Sequence, residues 1–244
     1  TAAVTGILLS ADMHEATGNF IHFETAQAHI GIQFNSTRSN MNVTNTEVLM
    51  DSSTAGSVGL SVGGASQCNI SGNNVLGFET GVDASSANNS VINNNFLYGS
   101  VTGLLATNAL QTAIENNFFG SVTTALSIVN TSAKKNLNIS GNVVNSCVNN
   151  AFSLQGVTYS IINNNTFIAV GTATNNTYDC IILKSSGTAY SIYNTIVGNN
   201  NPSGTSLDDS IVPPAQGSNF WAENLQLAPE PAASAHSRRS SRSA

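Results

Sequence analysis

The chain has 244 residues and a formal net charge of −6, with only 8% of residues charged, against about 25% in an average soluble protein. So few Lys and Arg exclude a nucleic-acid interface, which needs clustered cations, and no run is long and apolar enough to insert into a membrane. Asn alone supplies 34 residues, so an exterior of neutral Asn, Ser, Thr and Gly is expected.

In chain order, Gly6-Ile7-Leu8-Leu9 opens a series in which a small residue precedes an apolar–any–apolar triplet. The series continues at Gly31, Gly59, Gly81, Gly103, Ala125, Ala151 and Cys180. Period-two alternation marks a half-buried strand. From Leu60 to Val82, Leu104 and Leu126 the step is 22 residues each time. A second pattern interleaves: apolar, any, Asn or Gly, Asn, any, apolar. Its eight copies begin at Ala16, Val43, Ile70, Val91, Ala113, Ile139, Ile162 and Ile192, at steps of 27, 27, 21, 22, 26, 23 and 30 residues. A period of roughly 20–30 residues means a solenoid with one coil per repeat.

The hexad positions carry distinct physics. Position three holds Gly18, Asn45, Gly72, Asn93, Glu115, Gly141, Asn164 and Asn194. Gly and Asn tolerate the left-handed conformation, so this position reads as a sharp bend, with Glu115 as the one departure. Position four holds Asn19, Thr46, Asn73, Asn94, Asn116, Asn142, Asn165 and Thr195, a column whose amides can bond one another as an Asn ladder. Position six, with Ile21, Val48, Val75, Phe96, Phe118, Val144, Phe167 and Val197, reads as an inward apolar stack.

Each coil therefore supplies at least two short strands. The prediction is an all-β chain: a single-stranded right-handed parallel β-helix of about seven to eight coils over residues 1–204. An antiparallel sandwich would not keep equivalent residues in register. Residues 205–227, with Pro213-Pro214 and Trp221, read as a cap over the last coil. Residues 228–244, rich in Pro, Ala and Ser and holding Arg238, Arg239 and Arg242, read as a disordered tail. With no initial Met and no signal peptide, the chain reads as a mature or excised piece.

The runs Ile-Ser-Gly-Asn-Asn-Val at 70–75 and Ile-Asn-Asn-Asn-Thr-Phe at 162–167 resemble the right-handed parallel β-helix repeat of the pectate-lyase-like superfamily. Phage tailspike shafts and secreted carbohydrate-active proteins share that repeat. The resemblance covers roughly residues 6–200 and implies fold more than activity. It implies polysaccharide or cell-surface glycan as partner, an extracellular, cell-surface or virion location, and a homotrimer of the tailspike kind. The family's enzymes carry motifs missing here. Polygalacturonases need Gly-His-Gly, which is absent, and the only Asp-Asp, Asp208-Asp209, lies beyond the repeats. A pectate lyase needs a basic residue with an acidic cluster, but Arg38 is the only arginine in the coils and no acidic cluster accompanies it, and the Tyr-Gly-Phe-Asp-Pro-His segment of alginate epimerases is absent.

Glycoside hydrolysis needs two carboxyl groups, about 5–5.5 Å or about 6.5–9.5 Å apart. The outward acids in the coils are few. Asp83, between inward Val82 and Ala84, with Glu79 just before it, is the candidate catalytic pair, and Glu115 the third candidate. Solvated surface carboxylates are the plainer alternative. His22 and His29 could approach one another, joined by Glu15 or Glu24, to hold a metal, though exposed loop histidines are the simpler expectation. Cys68, Cys147 and Cys180 fall in different phases of the repeat and read as buried free thiols. No cofactor and no resident metal are expected. The functional expectation is a tailspike- or adhesin-like glycan-binding β-helix. A polysaccharide-degrading enzyme, a hydrolase before a lyase, is the alternative, and a structural spacer the third.

Overall fold

The structure is a computed structural model that describes residues 4–10, 12, 14–34, 39–171, 180–184, 191, 193–201, 219–222 and 225–226. Its strands wind into three parallel sheets, a right-handed β-helix of about seven turns. Each coil supplies three strands, in keeping with the expected at least two, because the hexad spans a bend with a strand on either side. The first sheet runs from Thr5–Leu9 to Ile181–Lys184, and the second from Glu15–Thr17 through Phe220–Ala222. The third runs from Phe20–Phe23 to Leu225–Gln226. Two stretches within 205–227 thus extend the second and third sheets. The tail, 228–244, lies outside the described residues.

Three columns fill the core. The second sheet stacks Val43, Ile70, Ile92, Ile114, Ile139, Ile162 and Ile196, and the first stacks Leu60, Val82, Leu104, Leu126, Phe152 and Ile181, all fully buried. The 22-residue step read along the first sheet is the observed register. The third sheet contributes Val48, Val75, Leu97, Phe119, Val144 and Phe167. Its side chains come so close to the first sheet that the small-residue column is obligatory. A Cβ on Gly103 would stand 2.5 Å from Phe119 Cδ1 and 2.7 Å from the Ala125 carbonyl oxygen.

Three hexads need their frame corrected. In register with Ile70 stand Ile92 and Ile114, not Val91 and Ala113, and the last hexad begins at Ile196. Ile192 lies outside the described residues. The left-handed bend residues are Gly18, Asn45, Gly72, Asn94, Asn116, Gly141, Asn164 and Gly198, all with φ between 51° and 67°. The departure assigned to Glu115 disappears, because Glu115 is an ordinary strand residue. The inward residues are Leu97 and Phe119, while Phe96 and Phe118 face outward and Val197 lies in an outward column of the second sheet. A slip of one residue exchanges the two faces of a strand.

The ladder is therefore Thr46, Asn73, Asn95, Asn117, Asn142, Asn165 and Asn199, not a column through Asn94, Asn116 and Thr195. From Asn73 onward, each amide nitrogen donates to the next Asn Oδ1 at 2.9–3.1 Å and to a main-chain carbonyl behind it, such as Ile70 O from Asn95. Each backbone N–H in the run, from Thr46 to Asn165, donates to the next Asn Oδ1 at 3.0 Å. A second, mixed column sits where the chain enters the second sheet. There Ser90, Ser160, Asn194 and Asn219 accept from the preceding coil's backbone N–H.

Candidate functional site

Of the three candidate carboxylates, Glu79 and Asp83 lie on one coil at the first sheet, and Glu115 stands apart on the second sheet. Asp83 faces outward from the first sheet between Ser61 and Leu105, as expected, and accepts the Ser85 N–H at 3.0 Å. Glu79 precedes that strand and accepts the Gly56 N–H of the preceding coil. Four residues of nearly extended chain put their α-carbons up to roughly 13 Å apart. Glu115 lies on the second sheet, where it accepts from the Asn138 amide and the Ser140 hydroxyl.

The histidines do not converge either. His22 is exposed and pairs with Asp51 at 2.7 Å, which raises its pKa above the usual 6.5 through the hydrogen bond and the Asp51 charge. His29 is buried, not an exposed loop residue. Its Nδ1 accepts the Val4 N–H at 3.1 Å, so the neutral ring's Nε2–H donates to Thr25 Oγ1 at 3.0 Å. The ring stacks on Phe23 at 4.5 Å.

The feature that sequence reasoning missed is on the outer face of the third sheet. Phe96 and Phe118 occupy adjacent coils with centroids 4.9 Å apart and planes within 3°. Tyr98 lies parallel to Phe96, 5.9 Å away at 8°. Phe96 is 40% exposed and Tyr98 42% exposed. Gly120 makes the arrangement fit, since a Cβ there would stand 2.6 Å from Tyr98 Cδ2 and 2.7 Å from Phe118 Cε1. Missing one side chain, the coil leaves Tyr98 room to lean across. Leu76 and Asn74 flank the rings on one side, and Asn145 and Val143 on the other. Among the described residues the third sheet carries no Lys or Arg. Its nearest carboxylate along this column, Glu47, accepts from the Asn74 amide at 3.1 Å. The sequence signal was available: the constant 22-residue step puts Phe96 and Phe118 in equivalent places, directly after the ladder residues Asn95 and Asn117.

A solenoid of three parallel sheets with an Asn ladder at one bend defines a member of the right-handed parallel β-helix class. Residues 39–212 match the family described as "Periplasmic copper-binding protein (NosD)", and the chain belongs to that family. No curated protein matches it. Among solved structures, the DFA-IIIase of Arthrobacter chlorophenolicus A6 without its lid is similar at TM-score 0.59 and 11% identity, over 81% of this chain and 51% of that one. The C387A mutant in complex with DFA-III gives 0.58 and 12%, over 82% and 49%. The alginate lyase of Paenibacillus sp. str. FPU-7 gives 0.50 and 13%, over 91% and 88%. The chain thus spans about half the length of the DFA-IIIase. At these identities the likeness is one of fold.

The family description names copper, a metal that thiolate, thioether and imidazole ligands hold. Among the described residues no three His, Cys, Asp or Glu stand close enough to hold a metal. Cys68, Cys147 and Cys180 are buried free thiols, as expected, on different columns. Burial raises the Cys68 thiol pKa and pushes Cys147 to about 11, against the thiolate a metal needs. Met41 and Met50 are core residues. The described residues do not fit a copper site.

Proposed function

We propose that this protein is a glycan-binding β-helix that works outside the cytoplasm and recognises an uncharged polysaccharide. The observation that carries this reading is the parallel triad of Phe96, Tyr98 and Phe118 on the third sheet. Aromatic rings offer an apolar surface to the C–H face of a sugar, and Tyr adds a hydroxyl. Flanking Asn74 and Asn145 supply amides suited to sugar hydroxyls. The absence of Lys and Arg from the described part of this sheet disfavours an acidic polymer, which would instead meet Glu47. The periplasmic description of the family supports a place outside the cytoplasm and gives no support to a virion.

The test is titration with hydroxyethylcellulose, xylan and inulin as neutral polymers, and with alginate and polygalacturonate as acidic ones. Binding to a neutral polymer, lost in the double variant Phe96→Ala/Phe118→Ala, is expected. No binding in the panel, or binding indifferent to those substitutions, would overturn the reading. New reducing ends that vanish in Asp83→Asn would instead move the site to the first sheet and make the protein a hydrolase. Analytical ultracentrifugation belongs with the panel. A homotrimer packed through the third sheet would cover the rings and reassign them to subunit contact.

A further inference from the structure

Seven successive coils among the described residues enter the second sheet through one residue with positive φ. In five successive coils that residue is Asn40, Gln67, Asn89, Gln111 or Asn136, and in the next two it is Tyr159 and Tyr193, at 50° and 58°. Asn is at home in this conformation, whereas a bulky residue there is an outlier. Strain of this kind persists where the surrounding structure imposes it, and it gathers at functional sites. The two tyrosine rings stack with centroids 5.0 Å apart and planes at 18°. They are 53% and 52% exposed. Asn136 holds the equivalent place one coil before Tyr159 and is itself exposed. Exposed Ile161 and Phe220 begin strands of the same sheet on either side of Thr195.

We infer that Tyr159 and Tyr193 form a second glycan station, at the corner between the first and second sheets, for an uncharged sugar unit. The inference rests on the glycan reading above and adds a contact point on a different corner of the solenoid. Asn136, Asn138, Tyr159, Ile161, Tyr193 and Thr195, at this corner and the strand starts beside it, are themselves neutral; Lys135 precedes Asn136 in the chain, and the Asn138 amide engages Glu115. Ring surface takes the apolar face of the sugar. The phenolic hydroxyls and the Asn136 amide are the polar groups at hand for its hydroxyls. A fold that needed only a bend here would do better with Asn, which three of the five other coils use, the remaining two using Gln.

That comparison supplies the experiment. The double variant Tyr159→Asn/Tyr193→Asn restores the bend residue of other coils, so it folds with an unchanged or higher Tm. Titrated by calorimetry with hydroxyethylcellulose, xylan and inulin, it should show a Kd weakened roughly fivefold to tenfold per ring lost. Tyr159→Phe/Tyr193→Phe should keep most of the affinity. If the Asn variant binds like the wild type while Phe96→Ala/Phe118→Ala does not, the second station is wrong and the glycan reading stands. A lower Tm in the Asn variant would make the stack structural and would also overturn the station. If the wild type binds none of the three polymers, both proposals fall together.

Discussion

The strongest quantitative expectation concerns Asn117, in the middle of the ladder. Asn117→Ala deletes four hydrogen bonds: the amide's donations to Asn142 Oδ1 at 3.1 Å and Ile92 O at 2.9 Å, and the acceptance of Asn95 N at 3.0 Å and Asn95 Nδ2 at 2.9 Å. Asn142 Oδ1 keeps the Asn117 N–H. The Asn95 N–H, one Asn95 amide hydrogen and the Ile92 carbonyl are left without partners, in a site where Asn95 and Asn117 are 1% exposed. A buried polar group without a partner costs about 1–3 kcal/mol. With partial relaxation the three together cost about 3–6 kcal/mol, a large part of the about 5–15 kcal/mol that holds a typical domain folded.

The control is the neighbouring residue. Asn116 is exposed at φ 55°, and its conformation suits Gly better than any other residue. Asn116→Gly should change stability by less than about 1 kcal/mol, in the stabilising direction. Urea denaturation followed by far-ultraviolet circular dichroism reads both. Because a solenoid couples each coil only to its neighbours, Asn117→Ala should also broaden the transition or split it in two. A loss below about 1 kcal/mol for Asn117→Ala, or a larger loss for Asn116→Gly, would refute the ladder as a stabilising element.

Three further outcomes follow from the same geometry. Gly103→Ala drives a methyl into Phe119 and the Ala125 carbonyl, and should destabilise by about 1–3 kcal/mol or more in the same urea assay. The His22–Asp51 pair raises the histidine pKa in the folded state. Its contribution is therefore full below the unfolded value of 6.5 and fades as pH rises through the raised value. Asp51→Asn should flatten that part of a Tm-against-pH profile, and a profile unchanged by the substitution would dismiss the pair. Cys147, with a thiol pushed to about 11 and no exposure, should resist iodoacetamide at pH near 8 until denaturant is added, whereas labelling of the native protein at this residue would contradict its burial.

The fold was legible because every coil must solve the same problem at the same places: a left-handed bend, a buried amide, an inward apolar residue. The candidate site was less so, and the reason is specific. In Val91-Ile92-Asn93-Asn94-Asn95-Phe96-Leu97, three consecutive asparagines admit two frames, and both end on apolar residues. In Ala113-Ile114-Glu115-Asn116-Asn117-Phe118-Phe119 both frames again end on apolar residues, but only the frame from Ile114 puts Asn rather than Glu at the bend. In the neighbouring hexad at Ile70, the outward residue after the ladder amide is Asn74, so only one frame satisfies the pattern. The ambiguity arises in these two coils because their outward faces are apolar as well as their inward ones. The place where the frame slipped in these two coils is also the place where Phe96 stands exposed and Phe118 half-buried on the outer face. The carboxylates offer no comparable signal. Asp83 and Glu79 lie on one coil and each accepts a main-chain N–H, while Glu115 bonds the Asn138 amide on the second sheet, so the winding of the solenoid separates the third candidate from the other two.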